Sequence, residues 1–110
     1  MNTETQTAIR TSLSHEDADE YASWFRCLAD GTRLLVLNIV ATTGRAMTVG
    51  EIVDRAGVGQ STVSHHLRVL AEECFVHMRA EGTRTLVTVN RDCLKEFPEA
   101  AARIMGLESS

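Results

Sequence analysis

Residues 48–70, TVGEIVDRAGVGQSTVSHHLRVL, constrain the fold more than any other stretch of the chain. Thr48 and Glu51 stand at the spacing of a capping box, in which a hydroxyl and a carboxylate satisfy each other's free backbone N–H groups. Ile52 and Val53 supply an apolar face, and Gly57 can stop that helix (residues 48–56) in the left-handed conformation. A second helix is expected over residues 60–73, with Val63, Leu67 and Leu70 spaced i, i+4, i+7 on one side. Its other side carries Gln60, Ser61, Thr62, Ser64, His65 and Arg68. One face suits a core; the other is built of donors and acceptors, as a recognition helix in a DNA major groove requires.

The 110 residues suffice for one domain with a modest core. The longest apolar run, residues 34–41, is interrupted by Asn38 and is too short to span a bilayer, so no membrane partner is expected. The N-terminus, MNTETQTAIRTSLS, lacks the basic-then-apolar order of a secretory signal and reads as a flexible polar tail over residues 1–14. Three cysteines without an export signal point to free thiols in a reducing compartment, hence a cytoplasmic location. The net charge of −4 does not favour a nucleic-acid binder. Its distribution does: residues 1–30 hold six acids against Arg10 and Arg26, whereas residues 55–91 hold five arginines and three histidines against Glu72, Glu73 and Glu81. Phosphate contacts depend on the local face more than on the total.

Upstream, a helix over residues 16–29 aligns Tyr21, Trp24, Phe25 and Leu28 on one stripe, for core or dimer contact. Asp30 is placed to cap a second helix that runs to Gly44. Downstream the period changes. Residues 75–79 and 85–89 are β-branched and aromatic-rich, and Glu81-Gly82 between them signals a hairpin. The last segment, residues 91–105, spaces Leu94, Phe97, Ala101 and Ile104 helically; Pro98 either kinks this helix or sets its true start near Phe97, with one irregular turn before it. The fold class is therefore mainly α with a β-hairpin wing: a winged helix-turn-helix domain over residues 15–106, with a short tail at 107–110. Tyr21, Trp24, Phe25, Leu94, Phe97, Ala101 and Ile104 of the terminal helices are the candidate dimer interface.

Residues 25–90 resemble the ArsR/SmtB group of bacterial metal- and stress-responsive repressors. FRCLADGTRLLVL is similar to that family's ALADPTRLRIL segment, with Gly31 in the proline position. GQSTVSHHLRVL matches its recognition helix SQSTVSHHLKVL almost residue for residue, and EGTRTLVTV matches its wing. The resemblance implies a homodimer on an inverted-repeat DNA operator. On that picture Gln60, Ser61, Thr62, Ser64 and His65 lie near base edges or phosphates, Arg68 holds phosphate, and Arg84 reaches the backbone or an adjacent minor groove. His66 falls beside Val63, Leu67 and Leu70 and is expected to be packed and hydrogen-bonded. Ser64 and His65 point about 100° apart, with no glycine-flanked nucleophile turn, so no enzymatic role is expected.

The resemblance also implies an effector. One family site places two cysteines in the segment matching residues 46–52, where this chain has Thr48 and Gly50. Another uses aspartate and histidines along the last helix, where this chain has Asp92 but Leu94, and no histidine after His77. Three thiols remain. A turn centred on Glu81-Gly82 brings Cys74 opposite residues near 89–91, within about 10 Å of Cys93 given normal strand spacing. Cys27, late in the first helix, completes a candidate three-thiolate site for arsenite, mercury or cadmium, because soft ligands select soft ions. A redox thiol switch is an alternative, and so is simple packing of small apolar side chains. A different class of function, a winged-helix module that docks a partner protein, is favoured by the negative charge and disfavoured by the polar helix face.

Overall fold

The computed structural model describes residues 13–107. The expected tail over 1–14 therefore falls outside the described residues up to residue 12, and that over 107–110 from residue 108. Ser14 opens the first helix, α1 (His15–Leu28), by accepting from the backbone N–H of Asp17 at 3.0 Å. Asp30 does the same for α2 (Gly31–Thr43), accepting from the Arg33 N–H at 3.0 Å, and Gly44 ends it at φ 78°. After the two-residue strand β1 (Met47–Thr48), α3 (Val49–Ala56) carries the expected reciprocal capping box. The Thr48 N–H donates to Glu51 Oε1 at 2.9 Å, the Glu51 N–H donates to Thr48 Oγ1 at 3.1 Å, and Gly57 stops the helix at φ 74°. The second helix of the pair, α4, runs Gln60–Glu72.

Strands β2 (Val76–Glu81) and β3 (Arg84–Val89) form the wing hairpin, and the sheet order is β1-β3-β2, antiparallel throughout. Two details depart from expectation. The register ends at Glu81↔Arg84, so the turn residues are Gly82 and Thr83, one position later than Glu81-Gly82. Gly82 takes φ 63° there, the first central position, at which a type II′ hairpin turn takes its glycine. The sheet also gains β1, where Met47 pairs with Val87 and Thr48 with Leu86. This pairing seats the N-terminus of α3 against the wing.

The last helix, α5, spans Arg91–Ile104 with Pro98 inside it, and so does not start near Phe97. Asn90 fixes the earlier start: its side chain accepts from the Cys93 N–H at 3.4 Å and its carbonyl from the Leu94 N–H at 3.1 Å. Cys93 and Ala100 are buried on either side of the proline, and these anchors outweigh one missing backbone bond.

The centre of the core is largely aliphatic, with one aromatic ring, Phe75. Val36 and Val40 of α2, Met47, Ile52, Val63, Leu67 and Leu70 of α4, Phe75, Val76 and Val87 are all fully buried. The apolar stripe of α4 read from the sequence is thus its inner face. No helix among the described residues is long and apolar enough to cross a membrane.

Candidate nucleic-acid interface

With Val63, Leu67 and Leu70 inside, the helical period turns Gln60, Ser61, Thr62, His65 and Arg68 to solvent, and Ser64 is half-buried. A cleft of about 420 Å³ opens between α4 and the wing. Gln60, Ser64 and Arg68 form one wall, Thr83, Arg84 and Thr85 the other, and Thr48, Val49 and Gly50 at the start of α3 close one side. Four of the seven DNA-contact residues expected from the sequence are brought together here: Gln60, Ser64, Arg68 and Arg84. Ser61, Thr62 and His65 lie on the exposed strip of α4 outside the cleft. Arg84 is exposed and pairs with Glu81 at 3.1 Å, a carboxylate that also holds Arg79 at 3.5 Å. Such exposed pairs are weak and can be exchanged for a phosphate. Arg68 makes no ion pair among the described residues. The backbone at Thr48–Gly50 was not among the expected contacts; the Thr48 N–H is taken by Glu51, while those of Val49 and Gly50 belong to the first helical turn, where no intrahelical acceptor is available.

His66 is buried, as expected, and its Nδ1 accepts from Arg33 Nε at 3.2 Å. Arg33 was not singled out in the sequence. Its NH1 also donates to the Cys27 carbonyl at 2.7 Å, so one guanidinium ties the end of α1 to α4. Asp30, at the cap of α2, lies 3.9 Å from His66 Nε2. The Arg33 backbone N–H, with help from His66 and the Arg33 charge, holds the Asp30 carboxyl below its usual range.

The three cysteines gather around the last turns of α4, each differently. The Cys27 thiol lies 3.9 Å from the Val69 carbonyl and the Cys93 thiol 3.8 Å from the Glu73 carbonyl, one helical turn further on. Cys74 is exposed. Burial pushes both inner thiols up, Cys27 against the pull of Arg33 and Cys93 to about 11 with the help of Glu96. Among the described residues, no three His, Cys, Asp or Glu side chains are grouped so as to hold a metal ion.

The seven candidate dimer residues divide into three groups. Tyr21 and Trp24, with ring centroids 5.2 Å apart, line a groove of about 330 Å³ with Glu20, Glu96 and Glu99. Phe25 instead contacts Phe97 at 5.1 Å and is 39% exposed, and Ile104 is also exposed. Leu94, Phe97 and Ala101 are half-buried.

A helix-turn-helix pair with Arg84 of the wing across the cleft defines a winged helix-turn-helix domain, the fold of many DNA-binding transcriptional regulators. The chain belongs to the arsR family of bacterial regulatory proteins, whose family model matches residues 30–77. It is similar to the HTH-type transcriptional regulator MJ1325 of Methanocaldococcus jannaschii, with 36% identity over 82 residues covering 74% of this chain and 91% of that one. It is also similar to the "Probable mercury resistance operon repressor" of Streptomyces lividans, with 38% identity over 71 residues, 64% of this chain and 55% of the relative. Among solved structures, the homodimeric winged helix-turn-helix DNA-binding domain Mb0332 of Mycobacterium bovis superposes with a TM-score of 0.66 at 27% identity, covering 83% of this chain and 86% of that one.

Proposed function

We propose that the protein is a cytoplasmic transcriptional repressor that binds an inverted-repeat operator as a homodimer, one α4 in each of two major grooves. The observation that carries this reading is the cleft in which Gln60, Ser64 and Arg68 face Arg84. Gln60 has the geometry to pair with adenine, and Ser61, Thr62, Ser64 and His65 offer donors and acceptors to base edges or phosphates. Arg68 and Arg84 supply backbone charge. The homodimeric Mycobacterium relative and the exposed Phe25 and Ile104 support two-fold assembly, which calls for half-sites about 34–36 Å apart. Titration of a duplex from upstream of the protein's own coding region tests the reading, since affinity must fall steeply as salt rises. Absence of binding, or binding indifferent to salt, would rule it out. A chromatographic mass shifted from dimer to monomer by Phe25→Glu tests the assembly.

For release from DNA, a thiol-directed signal is the reading carried forward. Support comes from the clustering of Cys27, Cys74 and Cys93 around one end of α4 and from the description of the Streptomyces relative. The donor set does not fit a ready-made site for arsenite, mercury or cadmium: two thiols are buried and held protonated, and no three-ligand group is assembled. This favours an oxidant acting at the exposed Cys74. If a Cys74→Ser variant leaves DNA as readily as the parent when peroxide is added, that signal is excluded.

A further inference from the structure

Building on the DNA-reading surface proposed above, we infer that His66 is its positioning residue. Held by Arg33, its Nδ1 fixes the rotation of α4 about its own axis, and so decides which side chains reach the bases. His66 is the one buried polar or charged side chain among the described residues. Its neighbours on the inner face, Val63, Leu67 and Leu70, are fully buried, but apolar burial is non-directional. A helix on such a seat turns by a few degrees with little change in buried area. The Arg33–His66 bond is different: a planar guanidinium N–H must meet the in-plane lone pair of the ring nitrogen, at 3.2 Å. Because arginine only donates, Nδ1 is the acceptor of this bond, while Nε2 lies on the side of Asp30, 3.9 Å from its carboxylate.

Arg33 is itself immobilised. Its NH1 grips the Cys27 carbonyl at 2.7 Å and its backbone N–H is bound by Asp30 Oδ1 at 3.0 Å. The reference point for α4 is therefore the α1–α2 junction, outside the reading head. His66 adjoins His65 along the chain and sits two residues from both Ser64 and Arg68. Side-chain tips stand about 5–6 Å from a helix axis, so a rotation of only about 5° displaces them by about 0.5 Å. A base-edge hydrogen bond is lost within a few tenths of an ångström. A long, solvated arginine such as Arg68 can follow a phosphate through the same movement. Loss of the His66 acceptor is thus expected to erase sequence preference while leaving phosphate binding in place.

The test uses the full chain and a duplex that the wild-type protein enriches from a random pool. His66→Leu keeps the volume and removes the acceptor; His66→Asn returns an acceptor near the position of Nδ1. H66L is expected to lose tenfold or more in affinity for the enriched duplex. Its affinity for random duplex and its salt slope should stay within about twofold of wild type. H66N should recover most of the loss. Arg33→Met, which removes the donor and leaves His66 in place, should reproduce H66L, and serves where H66L melts below the assay temperature. Wild-type behaviour of H66L on both duplexes, equal losses on both, or equal losses in H66L and H66N would each overturn the inference. Failure of the wild type to enrich any duplex would instead overturn the repressor reading, and this inference with it.

Discussion

Phe75 donates its backbone N–H to the Leu70 carbonyl at 2.9 Å, closing the end of α4 over Cys74. With the Cys74 N–H bound to the Ala71 carbonyl at 3.0 Å, the pair makes a Schellman ending whose left-handed position is held by a cysteine at φ 66°. A Cβ in that conformation costs about 1–2 kcal/mol, and glycine escapes the cost at the expense of a freer unfolded chain. Cys74→Gly is expected to stabilise the fold by about 0.5–1 kcal/mol, raising the melting temperature by about 3–5 °C, whereas Cys74→Val lowers it. A lower melting temperature for the glycine variant would contradict the strain.

The Arg45 guanidinium, 2.9 Å from Glu51, and the Thr48 N–H pull the Glu51 carboxyl from its ordinary 4.5 to about 2. A lowered folded-state value means that the ionised group stabilises the fold above 4.5 and that this contribution is lost as pH falls through about 2. Glu51→Gln keeps the capping hydrogen bond and removes only the charge. The melting-temperature gap between parent and variant should be constant above about pH 5.5 and shrink as pH falls below that. The site is solvent-exposed, so the gap is small. A gap as wide at pH 2 as at pH 7 would exclude the ion pair as its source.

Much of the fold is legible because its strongest signals are local. The caps at Asp30 and Thr48, the stop at Gly57 and the stripe Val63-Leu67-Leu70 each depend on residues within a turn or two of each other. What escapes reading lies at longer range or in too few residues. β1 has two residues and no period, and is made a strand only by Val87 and Leu86 across the sheet. The turn slips by one because Gly82 serves as either central residue, and pairing of Glu81 with Arg84 decides between them. Arg33 and His66 are 33 positions apart, and nothing near either announces the other. The stripe Tyr21-Trp24-Phe25 is real, yet α5 packs along it and divides it between two flanks. The polar face of α4 was legible, whereas its meeting with Arg84 depends on how the wing folds back.

Pro98, exposed within α5, has no N–H to offer the Leu94 carbonyl. An interior helical proline is worth about 3 kcal/mol of destabilisation, less the entropy it removes from the unfolded chain. Pro98→Ala should therefore raise stability by about 1–3 kcal/mol, read as a higher urea midpoint at unchanged slope. An unchanged midpoint would mean that the helix has already absorbed the missing bond.

Arg68 and Arg84 stand on opposite walls of one cleft, but their roles on DNA should be separable. Arg68 has no ion pair to surrender among the described residues, so contact with a phosphate gains its full counterion release. Arg68→Ala should weaken binding to every sequence alike and flatten the log–log salt slope by about 0.9, the value for one phosphate. Arg84 must first leave Glu81, at 3.1 Å, so its net gain is smaller. Glu81→Gln frees both Arg84 and Arg79 from their shared carboxylate and should tighten binding and steepen the slope. Arg84→Ala in the Glu81→Gln background should reverse part of that gain. Equal slopes for Glu81→Gln and the parent would mean that the wing arginines do not reach the DNA backbone.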